Sequence, residues 1–306
     1  MNQKTILTLI ISLVCVSALA QQDPLYTQYV NNQLTFNAGY AGSNDMLSAQ
    51  FSERHHWTGF NGRPTTRVLT VHMPVGLTKT NVGVSFINDE IGPVKFNSFY
   101  LDYAYRFQVS NSGYLSLGVK GGFDMFNAYL TEVPLNEIDD ATFANNLEES
   151  FILNFGFGAY YVTPQYYVGF GIPRLVKNDI NGGSNTMFEA ESLNYYLSSG
   201  AVLSLSDYIK LRPSFQARLM WHSPVHLETM VWAIYNDRFW LGTGYRLHDA
   251  IHAGIQLQIT EQIRVGYTYD FTVSRFNRYG GTGAHELSLC YDFRFRRKHV
   301  KSPRYF

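Results

Sequence analysis

Residues 284–296 carry the sequence AHELSLCYDFRFR, in which two kinds of side chain alternate. One set is apolar or aromatic and comprises Leu287, Leu289, Tyr291, Phe293 and Phe295. The positions between them are mostly polar or charged, as at Glu286, Asp292 and Arg294. Because successive side chains of a β-strand point to opposite faces, this stretch is predicted to be a strand with one apolar and one polar face.

The same alternation recurs from Met46 onward in segments of about ten residues. It predicts fourteen antiparallel strands, an even number as in bacterial outer-membrane barrels. Their predicted ranges are 46–57, 65–74, 80–89, 95–108, 113–126, 151–163, 165–172, 193–205, 208–221, 225–235, 238–247, 250–260, 262–273 and 284–296.

The connections between these segments alternate in length. Every second connection is short, and most are tight turns such as Ser206-Asp207 and Asn236-Asp237, whose residue types suit hairpins. The long connections, residues 127–150, 173–192 and 273–284, all belong to the other set. Outer-membrane barrels have short periplasmic turns and longer external loops. The pattern therefore predicts a transmembrane β-barrel whose amino terminus is periplasmic.

Charged residues occupy the polar faces of several strands, for example Arg264 and Asp270 on one strand and Arg212 and Arg218 on another. An Arg or Lys that faces lipid at the bilayer midplane costs roughly 2–4 kcal/mol. These side chains are therefore expected inside the lumen, where both signs of charge predict ion pairs. A soluble β-sandwich or propeller is the alternative, since its strands also alternate, but its connections would not sort by length.

The first 20 residues are predicted to be a secretory signal. Lys4 is followed by an apolar run over 6–16 and by Ala18-Leu19-Ala20, so cleavage is expected between Ala20 and Gln21. The apolar run is shorter than the ~17 residues that a transmembrane helix needs.

Three further regions follow the signal. Residues 21–45 are polar, lack strand alternation and are predicted to form a periplasmic or lumenal segment, with a short helix after Asp23-Pro24. Residues 46–296 form the barrel, and residues 297–306 form a basic periplasmic tail. The chain has 24 basic and 24 acidic residues, a balance that excludes nucleic acid as an expected partner.

The sequence predicts no catalytic or metal site and no cofactor. His55 and His56 are adjacent on a strand, so they point to opposite faces and cannot chelate together. No nucleophile elbow, phosphate loop or zinc motif is present. A hydrolase with its active site at the rim of the barrel, using His222 and Ser223, is one alternative function. The acidic loop over 131–150 is either a solvated external loop or a site for partners or divalent cations.

Two short loops near the external rim, residues 58–64 and 89–94, combine aromatic, amide and charged side chains. Aromatic residues dominate binding hot spots, although a membrane-interface girdle would also use them. The candidate partner-binding residues are Trp57, Phe60, Asn61, Arg63, Asn88 and Asp89.

Five stretches together resemble the PorP/SprF family of type IX secretion system membrane proteins. They are QDPLYTQY (22–29), NAGYAGS (37–43), RHHWTGFNGRP (54–64), NDEIGP (88–93) and SPRYF (302–306). The amino-terminal family motif comprises Asp23, Pro24, Tyr26, Gln28, Tyr29, Asn37, Tyr40 and Gly42. The family commonly has Asn-Pro-Ala-Tyr-Ala-Gly, whereas Ala38-Gly39 replace Pro-Ala here, which predicts a looser backbone.

The resemblance implies an outer-membrane barrel that serves type IX secretion or gliding motility and is not an enzyme. It implies cargo export or cell-surface anchoring, with contact through the carboxy-terminal domain of a cargo protein such as an adhesin. Other secretion components and outer-membrane lipid are the remaining implied partners. The family motif over 23–43 and the basic tail are expected at the periplasmic end, and the rim loops at the external end.

An uptake channel of the long-chain fatty-acid transporter kind is the alternative. That class also has fourteen strands and an amino-terminal hatch with Asn-Pro-Ala, which Asn37-Ala38-Gly39 matches in part. It requires an apolar ligand pocket, whereas the strands here place charge inward.

Overall fold

The computed structural model describes residues 26–59, 62–76, 79–132, 145–176, 193–220, 223–274, 283–293 and 305–306. Fifteen β-segments make up its sheet. In chain order they are β1 (Leu47–His55), β2 (Thr65–Pro74), β3 (Thr80–Ile91), β4 (Val94–Gln108), β5 (Tyr114–Ala128), β6 (Leu147–Val162), β7 (Tyr166–Ile172), β8 (Asn194–Ala201), β9 (Leu203–Ser204), β10 (Ile209–Met220), β11 (His226–Tyr235), β12 (Phe239–Arg246), β13 (Ala250–Gln258), β14 (Ile263–Thr272) and β15 (Ala284–Phe293).

The sheet is antiparallel and closed. Segments follow one another in chain order around the barrel, β1 pairs with β15, and β10 pairs with β11. Only Val202 separates β8 from β9, and both segments pair with β10, so they act as one interrupted strand. The fold is therefore a closed antiparallel barrel of fourteen strands, which confirms the predicted class.

The predicted strand boundaries differ most in the long hairpin between β5 and β6. The sequence predicts a loop over 127–150, but β5 continues to Ala128 and β6 already begins at Leu147. A register shift between Phe126 and Ala128 lets Ala128 pair with Leu147. This irregularity breaks the alternation locally, which is why the sequence pattern ends too early.

The two faces of the barrel wall differ in polarity as predicted. On β15 the neighbours Glu286 and Leu287 are 0% and 53% exposed, respectively. The outward face is apolar over most of its area, as at Leu101, Val119 and Leu241. Among the described residues no helix is long and apolar enough to cross a membrane.

The two ends of the barrel differ in the length of their connections. One end, here called the short-turn end, has tight hairpins such as Asn236-Asp237, where both residues have positive φ as a type I′ turn requires. The opposite end, here called the long-loop end, carries the connections between β5 and β6, β7 and β8, and β14 and β15. By the rule for outer-membrane barrels, the short-turn end faces the periplasm and the long-loop end faces outward.

The segment that precedes β1 lies inside the barrel. Residues 26–43 are all buried, and Tyr26–Asp45 is here called the plug. It contains a turn, a one-turn helix α1 (Gln33–Phe36) and a 3-10 helix over Ala38–Tyr40. The helix in the described part of this segment starts at Gln33, well beyond the predicted position after Pro24. The segment is lumenal, one of the two placements that the sequence leaves open.

Candidate functional site

Asn37 joins the plug to the barrel wall. Its Nδ2 donates a hydrogen bond to the carbonyl of Ala159 at 3.1 Å. Its Oδ1 accepts a hydrogen bond from the backbone N–H of Gly39 at 2.9 Å and thereby caps the 3-10 helix. One side chain thus fixes the local conformation of the plug and attaches it to β6.

Three wall glycines let the plug backbone lie directly against the sheet. A Cβ at Gly118 would lie 2.4 Å from the carbonyl carbon of Ala38. A Cβ at Gly158 would lie 2.1 Å from the Oδ1 of Asn37, and one at Gly171 would lie 2.1 Å from the backbone oxygen of Phe36. Glycine is the residue that permits such close backbone approach.

Gly39, which belongs to the plug, also permits close approach between the plug backbone and the wall. An added Cβ would lie 2.9 Å from the carbonyl oxygen of Ser116 and 3.0 Å from that of Gly158. Gly39, which together with Ala38 is predicted to loosen the backbone, thus makes a close contact with the wall. The glycine is packed between β5 and β6, and its missing side chain makes contact with the wall possible.

The end of the plug nearest β1 is fixed at the short-turn end. The ring of Tyr40 packs edge-on against Tyr160, with centroids 5.3 Å apart, and against His72 at 5.1 Å. Burial raises the pKa of the Tyr40 phenol to about 12. Gly42 donates its N–H to His72 Nδ1 at 3.1 Å and accepts at its carbonyl from Arg106 at 2.6 Å. These contacts hold the plug where the chain enters β1.

The other end of the plug reaches the long-loop half of the lumen. Thr27 donates its N–H to Glu286 at 2.7 Å, and its hydroxyl donates to Asp270 at 2.8 Å. Gln28 donates its N–H to Glu286 at 3.1 Å. Glu286 lies near the start of β15, at the long-loop end. The expectation that the whole motif over 23–43 lies at the periplasmic end is therefore wrong for Thr27 and Gln28.

These contacts belong to a buried group of charges, here called the lumen charge cluster. Six consecutive strands around the barrel each contribute one side chain. The members are Glu228 (β11), Arg246 (β12), His252 (β13), Asp270 (β14), Glu286 (β15) and Arg54 (β1).

Opposite charges in the cluster are paired at short distances. Arg54 lies 2.5 Å from Asp270 and 3.0 Å from Glu286. Arg246 lies 3.1 Å from Glu228 and 3.3 Å from Asp270. Burying an ion is tolerated only when a partner compensates it, so each Arg depends on its carboxylates. The hydroxyl of Thr27 also accepts from Arg54 at 2.6 Å, which ties the plug into the cluster.

The sequence predicts that some members of this cluster point inward, but it does not predict which of them pair with each other. It placed Asp270 and Glu286 on inward faces and predicted ion pairs across the lumen. Arg54 lies in the RHHWTGFNGRP stretch, which carries the family resemblance but predicts no inward ion pair, and no motif marks His252. The sequence feature that could have predicted the cluster is the presence of an inward-facing charged residue on each of several neighbouring strands.

A small cavity remains between the plug and the wall on the long-loop side. It encloses about 50 Å³, which is room for a few water molecules. Its lining mixes aromatic and charged side chains, including Phe36, Tyr100, Tyr196 and Arg218. Pockets that bind small ligands usually measure about 300–1,000 Å³.

The predicted rim residues do not form one surface. Trp57 follows β1, is 37% exposed and has φ of 47°, and Arg63 is exposed. Asn88 points outward, whereas Asp89 is buried on the inner face, where it accepts a hydrogen bond from Thr66. Adjacent strand residues point to opposite faces, so Asp89 and Asn88 do not share a surface. Phe60 and Asn61 lie outside the described residues.

Outward-facing polar side chains form a hydrogen-bonded row across β1 to β4, here called the rim row. Arg67 donates to Glu53 and to Asn88, each at 3.0 Å. Asn88 in turn donates to Asn97 at 2.9 Å. The corresponding outward position one step toward the short-turn end is apolar on each strand, as at Phe51 and Leu69. The row therefore marks the external edge of the apolar band.

Tyr305 and Phe306, the last two residues of the sequence, lie at the short-turn end. The carbonyl of Tyr305 accepts from Arg212 at 2.6 Å, and its hydroxyl donates to Asp237 at 2.9 Å. The ring of Phe306 packs against Tyr167 with centroids 4.9 Å apart, and Phe306 is buried. The rest of the predicted tail, 297–304, lies outside the described residues.

Comparison with known families and proteins places the chain. A sequence model of the family described as type IX secretion system membrane protein PorP/SprF matches residues 18–291. The chain belongs to the PorP/SprF family. This is a family of secretion-system membrane barrels and not an enzyme family. A search of curated proteins found no match.

Solved structures resemble the PorP/SprF barrel in fold. The CymD monoaromatic hydrocarbon channel aligns with a TM-score of 0.50 and 10% identity, covering 93% of this chain and 97% of CymD. Omp33 of Acinetobacter baumannii gives 0.47 and 7%, covering 82% and 100%. A Pseudomonas aeruginosa FadL homologue gives 0.43 and 13%, covering 81% and 90%. At such low identity the likeness to CymD concerns the fold alone.

Most described residues of the amino-terminal PorP/SprF motif contact the wall from inside the plug. Gln28 accepts from Gln256 and Ser288 at 3.2 and 2.7 Å, and the Tyr29 hydroxyl donates to Ser214 at 2.9 Å. Asp23, Pro24 and the predicted cleavage residues Ala20 and Gln21 lie outside the described residues. Within the described part of the chain, no group of three or more His, Cys, Asp or Glu side chains is arranged to hold a metal ion.

Proposed function

We propose that this PorP/SprF barrel assists the export or surface anchoring of a secreted cargo protein, and that it does so by docking partners rather than by conducting them. The observation that supports this proposal is the position of the plug inside the lumen. The plug is attached to the wall at Thr27, Asn37 and Gly42, so it crosses the lumen from the long-loop half to the short-turn end. A barrel filled in this way offers its loops and rims, not its bore, to another protein.

The external rim is the proposed cargo site. Trp57 and Arg63 are exposed there, and Arg67 and Asn88 of the rim row lie on the outer wall at the same end of the barrel. An exposed Trp next to fixed polar groups has the composition of a binding hot spot. The proposed ligand is the carboxy-terminal domain of a secreted or surface protein. Other secretion components would contact the short-turn end, and no catalytic role is proposed.

Replacing Trp57 and Arg63 by Ala tests the cargo site. We expect the double variant to reduce co-purification of a surface protein about thirtyfold, since a hot-spot residue contributes about 2 kcal/mol or more. The measurement is affinity purification from outer membranes with quantitative mass spectrometry. Tyr208→Ala is the control, because Tyr208 is 63% exposed at the short-turn end. The proposal fails if only lipid or small molecules co-purify with the unmodified barrel under conditions that preserve secretion complexes.

The uptake channel is the competing function, and a conductance measurement separates the two. A channel for hydrophobic molecules requires an apolar path, whereas the lumen here contains the plug, the lumen charge cluster and a cavity of about 50 Å³. We expect the purified barrel in a planar bilayer to conduct no more than a protein-free bilayer. Stable open-channel currents, or saturable uptake of a long-chain fatty acid into vesicles, would favour the channel instead.

A further inference from the structure

The short-turn end of the lumen contains a binding site that the plug does not occupy. Lys210 and Arg212 on β10, Asp237 in the turn after β11, and Tyr167 on β7 converge there. The distance from Lys210 Nζ to Asp237 Oδ1 is 2.7 Å, so the two side chains form an ion pair. The site therefore combines a fixed ion pair, a guanidinium and an aromatic surface.

Tyr305 matches the polar half of this site. Its hydroxyl accepts from Lys210 at 2.5 Å and donates to Asp237 at 2.9 Å, so it completes the ion pair on both sides. The ammonium group of Lys210 also lies 4.8 Å from the centroid of the Tyr305 ring. The Lys210–Asp237 pair thus recognises the hydroxyl, and a Phe at this position would lose both hydrogen bonds.

Arg212 binds the backbone carbonyl of Tyr305. Its side chain is buried, lies over the ring of Trp240 at 4.7 Å and donates to the carbonyl of Tyr305 at 2.6 Å. Among the described residues no carboxylate lies within ion-pair distance of Arg212. A buried guanidinium needs acceptors, and the carbonyl of Tyr305 is one.

Phe306 occupies the apolar half. Its ring contacts Tyr167, which stacks on Tyr160 at 5.5 Å, and Tyr160 contacts Tyr40 of the plug. An unbroken series of aromatic rings therefore runs from Phe306 to the plug. The two residues therefore lie at the short-turn end, next to the part of the plug that contains Tyr40.

We propose that this is a peptide-binding site specific for a Tyr-Phe dipeptide, and that Tyr305-Phe306 fills it as an intramolecular latch that closes the periplasmic mouth of the lumen. This inference does not rest on the proposed cargo function. The ligand class follows from the site: a phenol for the Lys210–Asp237 pair, a peptide carbonyl for Arg212 and a second aromatic ring for Tyr167.

The rate at which a maleimide labels Cys290 measures access to the lumen from the short-turn end. Cys290 is a buried inward-facing residue of β15, and Arg264 contacts both its sulfur, at 3.9 Å, and the ring of Trp240, at 5.0 Å. We expect a Tyr305→Ala/Phe306→Ala double variant to label at Cys290 with a maleimide about tenfold faster than the unmodified chain. Mass spectrometry would locate the label, and Tyr208→Ala, at the same end of the barrel, should leave the rate unchanged.

A peptide added to the double variant tests specificity. We expect Ser-Pro-Arg-Tyr-Phe to restore protection of Cys290, whereas Ser-Pro-Arg-Ala-Ala should have no effect. An unchanged labelling rate in the double variant overturns the latch, and equal protection by both peptides overturns the dipeptide site. If the double variant does not fold, as judged by heat-modified migration on a gel, Tyr305→Phe alone replaces it. That variant should label measurably faster, because it removes both hydroxyl contacts but keeps the ring.

Discussion

An Arg54→Met variant is expected to lose about 3–5 kcal/mol of the free energy of unfolding, because it leaves the buried carboxylate of Glu286 without its cation and Asp270 with Arg246 as its remaining Arg partner. Asp270 and Glu286 both pair with Arg54, and all three side chains are almost fully buried. Met has a similar reach but no charge, so the loss would report the missing compensation. Urea titration of the barrel folded into lipid vesicles measures the effect.

Arg67→Met is the matched control for this experiment. Arg67 also pairs with a Glu, at 3.0 Å, but its side chain is 40% exposed on the outer rim. Such exposed pairs contribute about 0–1 kcal/mol, so the control should be nearly neutral. Adding Asp270→Asn and Glu286→Gln to Arg54→Met should recover part of the loss. Equal losses at Arg54 and Arg67 would contradict a cluster stabilised by buried compensation.

The cluster also holds the plug, so the same variant has a second expected consequence. Thr27 accepts from Arg54 and donates to Asp270, and both contacts depend on the position of the guanidinium. We therefore expect limited chymotrypsin digestion to cleave after Tyr26 or Tyr29 in Arg54→Met but not in Arg67→Met.

Gly118→Ala is expected to detach the plug from the wall and to cost about 1–3 kcal/mol, the usual range for overpacking. The new methyl group would lie 2.4 Å from the carbonyl carbon of Ala38 and 2.5 Å from the backbone nitrogen of Gly39. These are backbone atoms, so the strain cannot be relieved by a side-chain rotation. Single-channel currents in a planar bilayer should appear for this variant, whereas we expect none from the unmodified barrel.

Gly121→Ala on the same strand is the control. A Cβ at Gly121 would meet only the ring of Phe155, at 3.7 Å, which is an ordinary contact. The substitution lowers glycine content and changes strand propensity in the same way, so it isolates the collision with the plug. Similar currents and similar unfolding energies for the two variants would show that the wall glycines do not position the plug.

The barrel itself could be predicted from the sequence. Strand positions follow from an alternation with a period of two residues, which is a local property of the chain. The faces follow because lipid penalises an outward charge, and the two ends follow from turn length. Where the alternation is broken, at the shift between Phe126 and Ala128, the predicted boundary failed.

The candidate site was only partly predictable, because its contacts join residues that are far apart in the chain. Resemblance marked Thr27 to Gly42 as important, and polarity left a lumenal placement open, but neither gave the direction of the plug. The rim residues were grouped by sequence proximity, and strand geometry separates Asn88 from Asp89. The contacts of Tyr305 with Lys210 and Asp237 have no local sequence signal.

Local sequence patterns were sufficient to predict a membrane barrel, the inward and outward faces of several strands and the difference between its two ends. These properties depend on residues close together in the chain and on the lipid that surrounds it. The tertiary structure was needed to show that the plug extends from the long-loop half of the lumen to the short-turn end, that Arg54 pairs with Glu286 and that Tyr305 contacts Lys210 and Asp237. Arg54 and Glu286 are 232 positions apart, and they meet because β1 pairs with β15 when the sheet closes.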